Sequence, residues 1–392
     1  MIAPASIPVT GAEAICNVKL LKVLSENGYV IDLISKKMKY THYPETDLKE
    51  LGLNLNSVNT IEVDNKMSLK VIWQHLCCLF IFGTVFKGAH WAYCALKIAK
   101  KLCKENQYDA IITKNSPSEL LGSYFKKKKG YKWIATWNDP YPTEKYPKPY
   151  GKGITAKLFI LEKPLLNQME RADFHIFPNQ RIRDYMRNYL NIPSEKTRII
   201  PHVVIPREHH DTPHENLRIV HLGNILPPRD AAPFLRALKE FIKNEQNAKI
   251  EIAFIGQTPQ SVKDFVNTTH LEKYVKVFPP VKYKESQQIL ESYDIQLIVE
   301  APCEEGIFLP TKVSDSMQLG KPIFTISPSV GVLNDLYKQG HISYFSSLDD
   351  EKNILSTLKQ VYNDFTNGRI KSFSLEKSYS PRFIFQQYNE II

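Results

Sequence analysis

Two spacings of apolar residues take turns along this chain. In the first half YVIDLIS, YDAIIT, KWIAT, HIFPN and TRIIPH are short runs rich in branched and aromatic side chains, and in the second half RIVHLGN, KIEIAFIG, VKVFPP, DIQLIVE and KPIFTIS repeat the pattern. Runs of this length predict strands buried on both faces of a parallel sheet. The longer stretches between them carry apolar residues at helical spacing, so strands and helices alternate from end to end and the expected class is α/β with a parallel sheet in each half. The break falls at IPREHHDTPHENL, residues 205–217, which is polar, proline-bearing and without period. This predicts a first domain over 1–204, a linker over 205–217, a second domain over 218–375 and a final helix over 376–392 that folds back onto the first. No internal repeat or low-complexity tract interrupts the order.

The segment EEGIFLPTKVSDSMQLGKP, from Glu304 to Pro322, follows directly on the apolar run DIQLIVE. Pro310 and Thr311 are a start signal for a helix reaching about Leu319, and Gly320 stops it. The end of a strand facing the start of a helix is where open α/β sheets hold ligands, because free backbone N–H groups and the helix dipole favour a phosphate there. Lys312, in the first helical turn, has the wrong sign for that dipole, which a bound anion would explain. A strand, a loop and a capped helix also occur in many α/β domains without a ligand.

In the same segment, Asp315 and Gly320 to Pro322 follow the Glu-Ala-Met-Ala-x-Gly-x-Pro pattern, Pro310-Thr311-Lys312 matches a Pro-Ser-Lys variant, and Glu305 stands for an earlier glutamate. The segment resembles the signature of family-four retaining glycosyltransferases of the GT-B fold, of the bacterial surface-polysaccharide type. Two departures stand out: Glu305 and Asp315 are two residues further apart than is usual, and Gly306-Ile307-Phe308 replaces a Gly-Phe-Gly loop. Three further stretches agree in order: Ile7 to Ser35, with Gly11 in TGAE; Tyr108 to Pro142, with Asn138 and Asp139 in TWNDP; and Ile219 to Leu238, with Gly223 and Arg229.

The resemblance implies two Rossmann-like domains facing a central cleft, and a nucleoside-diphosphate sugar as donor. It also implies roles. Arg229 and Lys312 would meet the diphosphate, with the N–H groups near Thr311. Asp315 would accept hydrogen bonds from the ribose diol, and Glu305 would hold donor-sugar hydroxyls beside Gly306, Ile307 and Phe308. Gly11 and Gly223 would let backbone approach the ligand, and Asn138 and Asp139 would stand near the donor sugar and acceptor. Each has an ordinary alternative: Arg229 as a surface arginine beside Asp230, Asp315 as a helix-start carboxylate, Gly11 as a tight turn, Asp139 as a turn cap. Enzymes of this type need no protein nucleophile, no metal and no cofactor beyond the donor. The other function in view is a catalytically impaired GT-B protein that binds a nucleotide sugar or a partner enzyme, to which the altered Glu305–Asp315 spacing points.

Length and composition fit this reading. The chain has 392 residues, too many for one ordinary core, with 43% hydrophobic and 23% charged residues. Six cysteines form no C-x-x-C pair, and His202, His209, His210 and His221 lack metal-ligand spacing, so neither zinc nor a disulfide framework is indicated. The formal net charge of +10 invites nucleic acid, but no helix-turn-helix, zinc-finger or RNP pattern is present. A nucleotide, a lipid diphosphate or an anionic membrane surface accounts for it.

No signal sequence opens the chain and no run reaches the ~20 apolar residues of a membrane span, so a cytoplasmic or membrane-peripheral place is expected. The stretch Val71 to Phe86 comes nearest. A buried helix is the favoured reading, against an interfacial helix using Trp73, Phe80 and Phe82 with Lys126 to Lys129. The Lys126–Lys129 run also suits a helix C-terminus. Met1 to Pro4 looks like the last residues of a longer first strand, which predicts a native start upstream of Met1.

Overall fold

The computed structural model describes residues 1–8, 11–38, 51–64, 66–208, 214–371, 373 and 375–392. The chain forms two compact units. One comprises 1–146, 151–203 and 377–392; the other comprises 147–150 and 204–376. Part of the expected linker, 209–213, lies outside the described residues, as do His209 and His210.

In the first unit the elements run α1 (Ala12–Glu26), β1 (Asp32–Met38), β2 (Ser57–Val63), α2 (Leu69–Phe82), α3 (Ala89–Glu105), β3 (Ala110–Lys114), α4 (Ser118–Lys129), β4 (Lys132–Thr136), α5 (Lys163–Met169), β5 (Phe174–Phe177), α6 (Gln180–Arg187) and β6 (Thr197–Ile199). Strands β3-β4-β5-β6 form one parallel ladder and β1-β2 another. The stub at Ile2 bridges the two, pairing in parallel with Ile34 on one side and Thr113 on the other. Its backbone is fully engaged there: Ile2 N donates to Ile112 O at 2.8 Å and Lys114 N donates to Ile2 O at 2.9 Å. Three tryptophans fill the core with their ring N–H groups satisfied, as burial requires. Trp133 Nε1 donates to Thr113 Oγ1 at 2.8 Å, Trp91 Nε1 to Ser35 O at 3.2 Å and Trp137 Nε1 to His175 Nδ1 at 3.2 Å.

The second unit runs β7 (Leu217–Leu222), α7 (Ala232–Asn244), β8 (Ile250–Ile255), α8 (Gln260–Thr268), β9 (Val275–Phe278), α9 (Tyr283–Glu291), β10 (Ile295–Val299), α10 (Thr311–Gln318), β11 (Ile323–Ser327), α11 (Val332–Lys338), β12 (Tyr344–Ser347) and α12 (Glu351–Thr366). Its six parallel strands lie in the order β12-β11-β10-β7-β8-β9. Counted from β7 this is 3-2-1-4-5-6 read from the far edge, the order of a dinucleotide-binding sheet, and the chain reverses direction of growth between β7 and β10. Helices α7 and α12 cover one face. Phe234, Leu235, Leu238 and Phe241 of α7 and Ile354, Leu358 and Val361 of α12 recur at helical spacing and are buried. Each such side chain contributes roughly 1.5–3 kcal/mol by leaving water. Helix α12 starts where Asp350 accepts a hydrogen bond from Asn353 N at 2.9 Å. The last helix, α13 (Pro381–Asn389), packs in the first unit beside α1, and Lys132 Nζ donates to Ile392 O at 2.8 Å.

One sequence expectation fails. The apolar stretch near Val71 is not a buried helix: α2 starts at Leu69, stops at Phe82 because Gly83 takes a left-handed conformation (φ 66°), and leaves Leu69, Ile72, Trp73, Leu76 and Phe80 exposed. Only Gln74, Cys78 and Phe82 of this helix are buried, so Phe82 is not part of an outward face. Lys126 is engaged with Asp173 at 2.6 Å, while Lys127 to Lys129 are exposed.

Candidate functional site

The reversal between β7 and β10 opens a crevice at the carboxyl ends of these strands, and the loops that follow them carry the charged side chains. After β7 the chain turns at Gly223 with φ 107°, a conformation that favours glycine. A side chain there would also collide with Lys312, whose Cε and Nζ lie 3.0 and 3.3 Å from the position a Cβ would take. Lys312 therefore reaches from the first turn of α10 to the loop after β7. Pro310 offers that helix no side-chain cap.

Arg229 comes from the same β7–α7 loop and meets Glu300 at the end of β10, with Nη2 to Oε2 at 3.2 Å. Asp230, the neighbour that sequence suggested for Arg229, instead accepts a hydrogen bond from Ala232 N at 2.8 Å at the start of α7. Arg229 Nε and Glu300 Oε1 are buried and find no hydrogen-bond partner among the described residues. Such atoms are costly to leave unpaired. Burial holds the Lys312 ammonium below its usual range, with Arg229 adding to the effect. The same two cations, after burial, keep His221 neutral on β7, where its Nδ1 donates to Leu297 O at 3.1 Å.

The EEGIFLP loop is held by backbone. Gly306 N donates to Val330 O at 2.9 Å and Val332 N donates to Gly306 O at 2.8 Å. A Cβ on Gly331 would sit 2.9 Å from Gly306 O, so the two chains approach this closely because Gly331 has none. Ile307 is fully buried and anchors the loop, while the Phe308 ring meets Tyr150 edge-on at 5.2 Å. Tyr150 belongs to a four-residue piece of the first half of the chain that is part of the second unit. It lines a small pocket with Glu300, Cys303, Gly306, Phe308 and Gly331. Asp315, in the middle of α10, accepts a hydrogen bond from Tyr283 Oη at 2.8 Å, and its charge acts on Lys312. Thr311 opens α10, and Glu305 is half-buried in the loop before it.

Of the sequence-selected residues, Gly223, Arg229, Glu305, Gly306, Ile307, Phe308, Thr311, Lys312 and Asp315 thus all stand on the loops after β7 and β10 and on helix α10 of this one unit. Gly11, Asn138 and Asp139 stand on the other unit, at its own sheet edge. Gly11 precedes α1, and Asn138 N donates to Asn115 Oδ1 at 3.1 Å just past β4. Around them is a group of ionisable side chains that sequence reading missed. Burial raises Glu13 to about 8, helped by the Asp139 charge, raises Asp139 itself to about 6 and raises Glu119 to about 8. Burial also lowers Lys114 to about 8 and lowers Lys36. Both carboxyl oxygens of Glu119 and Glu13 Oε1 are without hydrogen-bond partners among the described residues. Glu300 was missed too, although it closes the apolar run DIQLIVE and is the first polar residue beyond the strand. No group of three or more His, Cys, Asp or Glu side chains is placed to hold a metal ion among the described residues.

The solved structure of Anabaena Alr3699/HepE with UDP-glucose is similar over 99% of this chain and 98% of its own, with a TM-score of 0.68 at 12% identity. The lipopolysaccharide outer core galactosyltransferase WaaB is similar over 100% and 97%, with a TM-score of 0.59 at 14% identity. S. aureus TarM, solved with UDP and alpha-GlcNAc-glycerol, is similar over 100% and 98%, with a TM-score of 0.65 at 10% identity. The fold is GT-B. The model of Glycosyltransferase Family 4 matches residues 79–208, a third of the chain and all within the segment from α2 to just past β6. The matched residues include Tyr108 to Pro142, one of the stretches that carry the resemblance to family-four glycosyltransferases. No curated protein matches the chain.

Proposed function

We propose that this GT-B protein is a retaining, metal-independent glycosyltransferase that moves a sugar from a nucleoside-diphosphate sugar to a glycan or lipid-linked acceptor in surface-polysaccharide synthesis, at the cytoplasmic face of a membrane. The observation that carries the reading is the pair of cations at the β7–β10 crevice, Arg229 with an unfilled Nε and Lys312 against Gly223. Negative charge grows on the diphosphate as the glycosidic bond breaks, and fixed positive groups in a dry site stabilise it most at that moment. Arginine offers a planar fork for phosphate oxygens and lysine a mobile point charge. The N–H groups at the start of α10 add to them.

Asp315 is suited to a ribose diol, and Glu305 with the Gly306–Phe308 loop to the hydroxyls of the donor sugar. Gly11, Asn138 and Asp139 would stand near the donor sugar and acceptor, with Glu13 beside them. A carboxyl that is largely neutral at pH 7 can donate a hydrogen bond as well as accept one, which suits a sugar hydroxyl. The complexes of HepE with UDP-glucose and of TarM with UDP and a glycosylated glycerol make both ligand classes reasonable for this fold. One observation favours a second reading, a nucleotide-sugar binder of low activity: Glu305 and Asp315 stand further apart than is usual, and Asp315 is already bonded to Tyr283. Incubation with a panel of nucleoside-diphosphate sugars and lipid-linked oligosaccharide separates the two. Steady release of nucleoside diphosphate, with an anomer of unchanged configuration in the product, supports transfer with retention. Binding without release supports the second reading, and an inverted product overturns the mechanism.

A further inference from the structure

Helix α2 has its two sides the wrong way round for a helix in water. Leu69 with Ile72 and Trp73, these two with Leu76, and Leu76 with Phe80 are related by three- and four-residue spacings, so the five form a single stripe. That stripe faces solvent, with Leu69 86%, Trp73 65% and Phe80 87% exposed, while Gln74 and Cys78 on the opposite side are buried. Just past the helix, Thr84 Oγ1 and Val85 N both donate to Leu161 O, at 2.8 and 3.1 Å. These bonds hold a second exposed group, Phe159, Ile160 and Leu161, at its end. Large contiguous apolar surface of this kind marks a place of contact rather than of solvation.

Charge decides what the contact is with. Between Lys66 and Lys104 the chain has seven lysines and neither aspartate nor glutamate, against a net charge of +10 for all 392 residues. Lys70 lies on α2 itself beside the stripe, and Lys97, Lys100 and Lys104 lie on α3, the helix packed against α2, where Lys101 pairs with Glu105 at 3.9 Å. Apolar side chains with a surplus of lysines nearby suit the headgroup boundary of an anionic bilayer, where the rings enter the acyl region and the ammonium groups stay among phosphates. We infer that α2 and the Phe159–Leu161 turn dock this protein on anionic phospholipid. This deepens the membrane-side reading of the proposed function, but docking needs neither donor nor acceptor. It can therefore fail while sugar transfer stands, or stand while transfer fails.

The test is flotation of the full chain with vesicles of phosphatidylcholine alone or mixed with phosphatidylglycerol, with no nucleotide sugar present. The expected result is recovery with the anionic vesicles only and release as salt rises, since exposed charges are screened. Trp73→Ser with Phe80→Ser should weaken partitioning by about tenfold or more, the cost of two large side chains no longer leaving water. Lys66→Glu with Lys70→Glu should do about the same. Lys239→Glu with Lys263→Glu, which changes net charge equally on helices of the second unit, should leave docking intact. Unchanged thermal midpoints and unchanged donor turnover on a water-soluble acceptor would show that the variants are folded. Three results would each overturn the inference: no recovery with either vesicle, equal recovery with both, or loss of docking in the second-unit variant. So would a dimer in solution that Phe80→Ser disperses, because the stripe would then be an interface between copies.

Discussion

At the carboxyl edge of the six-stranded sheet two cations stand together, Arg229 against Glu300 and Lys312 against Gly223, whereas at the edge of the first unit's sheet two carboxyls that burial keeps largely protonated, Glu13 and Glu119, stand beside Asp139 and the buried Lys114. Both sheets are parallel, both put loops and helix starts at that edge, and topology alone does not distinguish them. What differs is the balance and state of the charge: paired cations on one side, protonated carboxyls with a buried lysine on the other. A site for a diphosphate gains from fixed positive charge, while a site for sugar hydroxyls gains from groups that both donate and accept. Under the proposed function, the comparison suits the second unit to the donor and the first to the acceptor from chemistry rather than from order in the chain.

The largest expected effect lies on the cationic side. Lys312→Ala should lower turnover by about a hundredfold, by analogy with losing one oxyanion donor, with a smaller change in donor affinity, because its stabilisation grows with the leaving charge. Steady-state kinetics with varied donor would read both. On the other side, Glu119→Gln should stabilise the fold in a pH-dependent way. The Glu119 carboxyl is raised when folded, so the native state holds its proton from the ordinary carboxylate range up to about 8, and stability is lost as pH rises through that window. Replacement by the neutral amide removes the loss, worth on the order of a few kcal/mol at pH 8 and little at pH 4. Thermal unfolding at the two pH values checks it, and equal shifts at both would break the assignment of a buried neutral carboxyl.

A smaller change should follow from Asp315→Ala. A ribose contact is made alike before and during the reaction, so donor KM should rise about tenfold with kcat little changed. Smallest of all is the effect of EDTA, which should leave turnover within about twofold under the proposed metal-independent reading. Strict dependence on a divalent ion would remove Lys312 and Arg229 from the role given to them.

The GT-B architecture was legible because the central strands are nearly pure apolar runs: DIQLIVE and RIVHLGN have little choice but burial, and β10 and β7 follow them closely. Strands β2 and β12 were passed over, because SVNTIEV is half-exposed and YFSS is four residues long, so neither has the run of apolar side chains that signals a strand. Helix α2 misled for a related reason. Periodicity tells that a helix has an apolar stripe but not which way the stripe faces, and here it faces out. In the second unit, Lys312 drew attention through its sign at a helix start. Glu13, Lys114 and Glu119 did not, because each is unremarkable in its own segment and becomes a group only when α1, β3 and α4 are brought together.

The most direct test of the division between the two edges is calorimetric titration of nucleoside diphosphates into the wild-type chain and two variants. The account predicts that Arg229→Ala with Lys312→Ala loses affinity by about a hundredfold or more, two charge-assisted contacts being removed. It also predicts that Asp139→Asn binds as the wild type does. Undiminished binding by the double variant, or its loss in Asp139→Asn, would contradict the claim that the cationic edge of the second unit holds the nucleotide.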